Sequence, residues 1–275
     1  MSKLNNKTIV ITGASRGIGR EMALKFAKEG ANIVIAAKSA EAHPKLPGTI
    51  FSVAKEVEEA GGKALAVQVD VRDDAKVEAL MQQTADTFGG IDVLINNAGA
   101  IKLAGVASVP MKRFDLMHQI NTRAVLSASK AALPWLKKSE NGHILSLSPP
   151  LNLDPKWFVH YGPYTVTKYG MSMLTISMAE EFKRMGIAVN SLWPQTVIAT
   201  AAVEFEGGGK ATLERGRIPA IMADAAYEII TTENTELTGQ LVIDETLLRE
   251  RGHQDLEKYR YNTNTEKELM NDLFV

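Results

Sequence analysis

The sequence predicts an α/β fold of a single domain, in which a parallel sheet is covered by helices on both faces. Short apolar runs rich in β-branched residues alternate with stretches whose apolar residues recur at helical spacing. The apolar runs are nearly continuous, which is typical of strands buried on both faces of a parallel sheet. The first of them ends at a glycine-rich turn. Together these features predict a doubly wound sheet of the Rossmann type.

The predicted elements follow one another without an internal repeat. The first half of the chain predicts strands at 7–12, 32–37, 64–71 and 91–99, alternating with helices at 20–29, 49–60 and 74–88. The second half predicts helices at 110–137 and 163–185, a strand between them at 143–148, and further strands at 187–194 and 240–245. The first β-α-β unit is therefore complete by residue 37.

We expect one nucleotide-binding domain over residues 1–248. A substrate lid is expected at about 199–222, because three consecutive glycines interrupt the pattern there and long loops in compact domains are often lids. Residues 249–275 are mostly polar. For them a poorly ordered or partner-contacting tail is favoured over a part of the active site.

Composition excludes several classes of function. The 275 residues include 31 Lys and Arg against 32 Asp and Glu, a balance that argues against binding of nucleic acid or an anionic membrane. The absence of cysteine excludes disulfides, thiolate catalysis and Cys-ligated metals, and no metal site is predicted. Neither a signal-peptide pattern nor an apolar run of ~20 residues is present, so we expect a cytoplasmic protein without a membrane span.

A glycine-rich turn, TGASRGIG at 12–19, joins the first strand to the first helix. Its glycines let the backbone approach a pyrophosphate, and free N–H groups at the start of the helix bind the anion. The glycine spacing differs from the common G-x-G-x-x-G fingerprint, but the complete β-α-β unit around it predicts a dinucleotide site. The contacts are expected from Gly13, Ser15, Arg16, Gly17, Ile18 and Gly19.

The residue after the second strand indicates which dinucleotide binds. An acidic side chain there would bind the ribose hydroxyls and repel a 2′-phosphate, but this chain has Ala37-Lys38. Lys38 and Arg16 together would neutralise that phosphate. We therefore expect NADP (NADPH) to be preferred, with NAD possible; the alternative is that both side chains are solvated surface charges.

Tyr164 and Lys168 are spaced i, i+4 on a predicted helix, which puts both side chains on one face. A free phenol, with a pKa of about 10, transfers protons poorly at neutral pH. A cation ~5 Å away would favour its ionisation by roughly 3 kcal/mol at an effective dielectric near 20. The pair therefore predicts general acid–base chemistry at Tyr164.

With Asn96-Asn97-Ala98-Gly99 also present, the chain resembles the short-chain dehydrogenase/reductase family over residues 6–245. The family's T-G-x-x-x-G-I-G, N-N-A-G and Y-x-x-x-K motifs occur here in its order. Phrases such as AAKSAEAHPKLPGTI and SPPLNLDPKWF are similar to its hydroxysteroid dehydrogenase-like subgroup. The resemblance implies that Tyr164 and Lys168 carry catalysis and that Asn121 holds a water of the proton relay. It also implies cofactor contacts from Asp70, Val71, Asn97, Ala98, Tyr164 and Lys168.

The chain departs from the family pattern at two places. Where most relatives have a catalytic serine, the alignment puts Pro149, with Ser148 one residue earlier. Either Ser148 serves after a shift of the backbone, or it is a buried strand serine and Tyr164 alone holds the oxyanion. After Pro194 the family usually has glycine and this chain has Gln195. The resemblance implies a backbone contact from Val197 to the nicotinamide carboxamide.

The segment between the fifth strand and Tyr164 contains Trp157, Phe158 and His160. The two aromatic residues indicate either an apolar substrate or simple packing. His160 is interpreted as a pocket-lining or surface residue rather than a base, because the Tyr164–Lys168 pair is complete without it.

The predicted function is NADP-dependent transfer of hydride between the nicotinamide and a small carbonyl or alcohol substrate, with Tyr164 as general acid and base. The alternative from another class is a catalytically silent NADP-binding sensor or scaffold. A sugar epimerase or dehydratase fits less well, because such relatives have another glycine spacing. By resemblance, we expect a homo-dimer or homo-tetramer.

Overall fold

A parallel sheet forms the centre of the protein. The computed structural model describes residues 2–44, 46–234, 236–265 and 267–275. Its strands are β1 (Thr8–Thr12), β2 (Asn32–Ala37), β3 (Lys63–Gln68), β4 (Val93–Asn96), β5 (Gly142–Ser146), β6 (Ile187–Trp193) and β7 (Leu241–Ile243). They lie in the order β3-β2-β1-β4-β5-β6-β7, and every pair of neighbours is parallel. The predicted Rossmann-type sheet is confirmed.

Helices connect the strands. They are α1 (Gly17–Lys28), α2 (Ile50–Glu59), α3 (Asp74–Phe88), α4 (Met111–His118), α5 (Ala124–Leu136), α6 (Lys156–Val159), α7 (Gly162–Phe182), α8 (Ala201–Glu206), α9 (Lys210–Leu213), α10 (Ala220–Ile230) and α11 (Asp244–Glu250). The single helix predicted at 110–137 is divided between α4 and α5 by a π-helical turn, Gln119–Arg123. Such turns are frequent at functional sites. No helix in the described part of the chain has the length and apolar character needed to cross a membrane.

The strand order reverses between β1 and β4. The chain first builds outward through β2 to β3, and then returns to add β4 on the other side of β1. At such a switch point the loops after the two strands diverge and leave a crevice at the carboxyl edge of the sheet. The glycine-rich turn follows β1 and the N-N-A-G sequence follows β4. Both motifs therefore lie beside the same crevice.

The two faces of the sheet bury separate apolar clusters. One contains Met22 and Phe26 of α1, packed with residues of α2, α10 and α11. The other contains residues of α3 and α5, together with Met171, Met178 and Phe182 of α7. Side chains of the central strands alternate between the clusters: Ile9 and Ile11 enter the first, and Val10 enters the second. This explains the continuous apolar runs, since both faces are covered.

The 249–275 region differs from the expected loose tail. Leu256 and Tyr259 join the first apolar cluster, and Phe274 is 1% exposed within a third, aromatic cluster. Buried apolar side chains spaced through a polar sequence fix this region to the domain. The polar composition that favoured disorder reflects mainly its exposed residues.

His143 on β5 generates a prediction about stability. It is 1% exposed, and its Nε2–H donates to the carbonyl of Thr232 at 3.1 Å. Burial lowers its pKa from 6.5 to about 4, against the hydrogen bond to Thr232, which raises it. Between pH 4 and 6.5, His143 is therefore protonated in the unfolded chain but neutral in the folded chain.

His143→Gln removes this titration while keeping a neutral donor. As pH falls from 6.5 to 4, we expect the free energy of unfolding of the wild type to decrease relative to the variant by about 3 kcal/mol. Above pH 7 the difference between them should be constant. Urea unfolding at several pH values measures this, and a difference that does not change with pH would contradict the assignment.

Candidate functional site

A cavity of ≈ 730 Å³ opens at the switch point, within the usual size range of small-molecule sites. Its walls come from the loops after β1, β2, β3, β4 and β6, from the π-helical turn and α7, and from α8. The glycine-rich turn lies at one side, and Tyr164 and Lys168 lie at another. The predicted residues that line it are Gly13, Ser15, Arg16, Gly17, Ile18, Lys38, Asp70, Val71, Asn97, Ala98, Asn121, Tyr164 and Lys168.

The glycine-rich turn is packed directly against the loop after β4. Gly13 has a φ of +70°, and a Cβ there would lie 2.8 Å from Ala98 Cα. A Cβ on Gly19 would lie 2.4 Å from Asn97 Nδ2. Gly19 thus acts in the packing of the turn and does not line the cavity. Asn97 Nδ2 donates to the carbonyls of Thr12 at 2.8 Å and Gly13 at 3.1 Å.

The start of α1 fits an anionic group. Arg16 is the N-cap residue and makes no side-chain capping bond, and the first turn of the helix contains no acidic residue. The first N–H groups of a helix have no partner within the helix, and its dipole favours negative charge there. With the small residues of the turn, this end of the cavity fits a pyrophosphate.

Basic side chains lie beyond the turn, where β2 ends. Arg16 donates to Ser39 Oγ at 3.0 Å and to the carbonyl of Pro47 at 2.9 Å, so the loop after β2 holds its guanidinium near Lys38. Lys38 Nζ lies 3.3 Å from Asp70 Oδ2. Asp70 also accepts hydrogen bonds from Arg72, which hold the pKa of that carboxyl well below its usual range. The acidic charge of Asp70 is thus paired on two sides.

Tyr164 and Lys168 lie on one face of α7, and both are 6% exposed. Lys168 Nζ donates to the carbonyl of Leu147 and lies 4.9 Å from the ring centroid of Trp193. Among the described residues, no Asp or Glu side chain forms an ion pair with this ammonium. Burial lowers the pKa of Lys168 to about 7, against the negative charge of Asp272, which raises it.

The electrostatics at Tyr164 differ from the expectation. Burial, and secondarily the charge of Asp272, raise the pKa of Tyr164 above its ordinary value of 10.0. The sequence argument counted the cation of Lys168 but neither the burial of the phenol nor the acidic residue that approaches it from the end of the chain. Tyr164 therefore keeps its proton at neutral pH.

Asn121 is fully buried in the π-helical turn and lines the cavity. Its Oδ1 accepts from Ala100 N at 2.9 Å, and its Nδ2 donates to Ala100 O and to Thr167 Oγ1, each at 3.0 Å. Thr167 Oγ1 in turn donates to the carbonyl of Tyr164 at 2.8 Å. The side chain of Asn121 therefore connects the loop after β4 to the turn of α7 that carries Tyr164.

Two other predicted residues are not brought to the cavity. Ser148 is fully buried outside the cavity wall, and its Oγ has no hydrogen-bond partner among the described residues. This geometry favours the buried strand serine over the catalytic alternative. Val197 also lies outside the wall: its N–H donates to Met270 O, and its carbonyl accepts from Arg217 N, each at 2.9 Å. Ile198 lines the cavity instead.

The aromatic residues before Tyr164 pack within the protein. Trp157 contacts Phe274 with ring centroids 5.6 Å apart, and Phe158 meets Tyr169 edge-on at 5.9 Å. Neither lines the cavity, so packing is the favoured interpretation of these two residues. His160 is exposed, which agrees with a surface position.

The segment proposed as a lid contributes to the cavity wall. Thr200 and residues 201–203 and 205, in and before α8, line it. Lys102 Nζ, in the loop after β4, pairs with Glu206 Oε2 at 3.2 Å, so the end of α8 is connected to that loop. Both side chains are partly exposed, and such a pair contributes at most about 1 kcal/mol.

Sequence reasoning missed the residues that approach from the end of the chain. Asp272 and Leu273 line the cavity beside Tyr164 and Lys168. Phe274 packs on the ring of Tyr164 at 6.3 Å, with the rings 28° apart. The one signal in the sequence is the apolar Leu273-Phe274-Val275 at the end of a polar stretch.

Comparison with known proteins agrees with this architecture. Residues 7–207 match the family model described as short chain dehydrogenase. Hydroxysteroid dehydrogenase-like protein 2 of Xenopus tropicalis is 55% identical over 94% of this chain and 61% of its own length. The chain thus spans about three fifths of that curated relative.

Solved structures agree as well. A crystal structure of a Xanthomonas campestris protein is 48% identical, covers 100% of this chain and 99% of its own, and superposes with a TM-score of 0.95. A metagenomic short-chain oxidoreductase solved in complex with NADP is 25% identical, with a TM-score of 0.73 over 88% of this chain and 98% of its own. The extent of the family match, with the identity of these relatives, shows that the chain belongs to the short-chain dehydrogenase/reductase family of oxidoreductases.

Proposed function

We propose that this protein is an NADP-dependent oxidoreductase that interconverts a carbonyl group and an alcohol on a small-molecule substrate. The observation that carries the proposal is that Tyr164 and Lys168 share one cavity with the glycine-rich turn. The family membership gives the reaction class, and it does not favour the alternative of a catalytically silent sensor. The reduction of a ketone or aldehyde is the direction that the protonated state of Tyr164 supports.

The residues that line the cavity have two roles: some bind the cofactor, and Tyr164 transfers a proton. The start of α1 at Gly17, with Gly13 and Ser15 before it, would hold the pyrophosphate, and Asp70 and Val71 would contact the adenine. When bound, the nicotinamide supplies the hydride. Tyr164 donates its proton to the substrate oxygen, so that negative charge is neutralised as it forms.

Lys168 and Asn121 assist in different ways. Lys168 places a cation beside the reacting end of the cavity, where a low dielectric strengthens its effect on nearby oxygens. Asn121 positions α7 through Thr167. We assign no role in the reaction to Ser148 or Val197, because both lie outside the cavity wall.

Arg16 and Lys38 support the preference for NADP. Both line the cavity at the carboxyl end of β2, and Asp70, which also lines it, is already paired with Arg72 and Lys38. A 2′-phosphate would meet two cations and no free carboxylate there. The NADP complex of the metagenomic relative is compatible with this preference.

The preference is tested with Lys38→Ala. We expect the affinity for NADPH to fall about tenfold or more and the affinity for NADH to change little, since a charge-assisted contact to the 2′-phosphate is lost. Fluorescence titration measures both. Lys55→Ala, at an exposed lysine of α2, is the matched control. Equal losses for the two cofactors, or a wild type that binds NADH as tightly as NADPH, would contradict the preference.

Tyr164→Phe tests the proton donor. Removing one hydroxyl should lower the rate of NADPH oxidation with a panel of ketones, aldehydes and acyl-chain carbonyls by about 10²-fold or more, while the affinity for NADPH is retained. Tyr169→Phe is the matched control, because Tyr169 lies on the same helix and its hydroxyl donates to Asn152 O, away from the cavity. Substantial activity in Tyr164→Phe would refute the assignment.

The expected homo-oligomer is also a proposal. Val166, Met173 and Ile176 on α7 and Leu126 on α5 are between 42% and 56% exposed. The three residues of α7 recur at helical spacing and form an apolar stripe that faces away from the core. We propose that this stripe contacts a second copy of the chain.

Replacing Met173 and Ile176 together by Glu should convert a dimer or tetramer into a smaller species, because burial of two carboxylates in an apolar interface is unfavourable. Sedimentation velocity measures the outcome. Glu at Phe51, an exposed apolar residue of α2, is the control. A wild-type protein that sediments only as a monomer would reject the proposal.

A further inference from the structure

Residues 270–275, here called the 270–275 segment, run along the chain that follows β6. Hydrogen bonds hold them there, among them Val197 N to Met270 O at 2.9 Å, Asp272 N to Gln195 O at 3.0 Å, and Trp193 Nε1 to Leu273 O at 2.8 Å. The segment therefore forms part of the cavity wall at the end that contains Tyr164 and Lys168.

Phe274 anchors the segment. It has a φ of +75°, a backbone conformation that residues with a Cβ rarely adopt, and it is 1% exposed. Its ring lies among four aromatic rings, with centroid distances of 5.6 Å to Trp157, 6.3 Å to Tyr164, 5.3 Å to Tyr169 and 5.9 Å to Trp193. This packing holds the unfavourable backbone in place and fixes the neighbouring Asp272.

Asp272 brings a carboxylate to the catalytic end of the cavity. Its Oδ1 accepts from Leu273 N at 2.6 Å. The other acidic side chain of the wall, Asp70, lies at the opposite end and is paired with Arg72 and Lys38. The buried ammonium of Lys168 has a carbonyl and an aromatic ring as its neighbours. Asp272 is thus the acidic side chain of the wall at this end. Burial raises its own pKa to about 7, so its negative charge is complete only above that pH, in the range of the alkaline limb.

We propose that Asp272 is a positioning residue of the active site: held by the 270–275 segment, its carboxylate keeps the ammonium of Lys168 charged beside Tyr164. The proposal rests on the function proposed above for Tyr164 and Lys168. It assigns Asp272 an electrostatic action through the cavity, without direct contact to a reacting atom.

The charges around Asp272 give the sign of its effect. Lys168 and Tyr164 face it from α7, and Asp244 faces it from the start of α11; Glu245 and Arg217 act on Asp244. The negative charge of Asp272 raises the pKa of both Lys168 and Tyr164. Neutralising it lowers both values, so both protonated forms are lost at a lower pH.

Asp272→Asn is the first test. Asn keeps an acceptor for Leu273 N, so the segment stays bound while the charge is removed. We expect the alkaline limb of the pH profile of kcat/KM for carbonyl reduction to move down by about one pH unit. Asp272→Glu, which keeps the charge, should restore the wild-type limb. Glu268→Gln removes an exposed carboxylate just before the segment and should leave the profile unchanged.

A second readout needs neither substrate nor cofactor. NMR of protein labelled with [13Cε]-lysine follows the titration of Lys168, with its signal assigned by its absence in Lys168→Met. We expect the Lys168 midpoint to be lower in Asp272→Asn than in the wild type and in Glu268→Gln. An unchanged midpoint in folded Asp272→Asn overturns the proposal. If that variant does not fold, Phe274→Leu loosens the anchor and should lower the midpoint as well; an unchanged midpoint there also overturns it.

The two proposals fail separately. Full activity in Tyr164→Phe removes the proposed function, whereas the Lys168 titration still decides whether Asp272 supports the ammonium. An inactive Tyr164→Phe with identical pH profiles for the wild type and Asp272→Asn retains the function and removes the role of Asp272.

Discussion

Beyond the end of the β1–β4 ladder, Asn97 and Thr12 connect the two halves of the sheet at the switch point. Asn97 Nδ2 binds the carbonyls of Thr12 and Gly13, and Thr12 Oγ1 accepts from the N–H groups of Asn97 and Ala98, each at 3.1 Å. These bonds join the loop after β1 to the loop after β4, beyond the point at which the β1–β4 ladder ends. The start of α1 is built on this junction, and the chain leading to Asn121 leaves from it. The geometry of both ends of the cavity therefore depends on it.

The end of the cavity that contains Tyr164 and Lys168 combines a buried amine with few other full charges. A carbonyl and an aromatic face stabilise an ammonium less than a paired carboxylate does, while the protein interior weakens screening. Charges several ångströms away then influence Lys168 and Tyr164 more than they would in water. Trp193 has a central place in this arrangement, because its ring lies under the ammonium while its Nε1–H holds Leu273. Packing and electrostatics at this site are therefore coupled through one side chain.

The sequence predicted what is local and periodic. β1, β2, α1, α2, α3 and α7 begin and end within a few residues of expectation, because continuous apolar runs and helical spacing report burial directly. The helices after residue 200 were not predicted. The strand predicted at 91–99 ends at Asn96 because Asn97 turns to bind Thr12, a contact between residues 85 apart. Contacts of this kind were not predictable from one sequence. The raised pKa of Tyr164 was missed for the same reason, since it comes mainly from burial by tertiary packing and secondarily from Asp272, which lies far along the chain.

The two departures from the family pattern both occur where the main chain is used by other parts of the protein. The carbonyl of Pro149 accepts from Ser172 Oγ at 2.6 Å, which fixes the path after β5 and leaves Ser148 behind the wall. Gln195 donates its N–H to Asp244 Oδ1 at 2.8 Å and accepts from Asp272 N at 3.0 Å. Because both the N–H and the carbonyl of Gln195 are hydrogen-bonded, its backbone is fixed without the conformational freedom of a glycine. The non-glycine residue after Pro194 is thus compatible with a site whose wall is completed by a segment from the end of the chain.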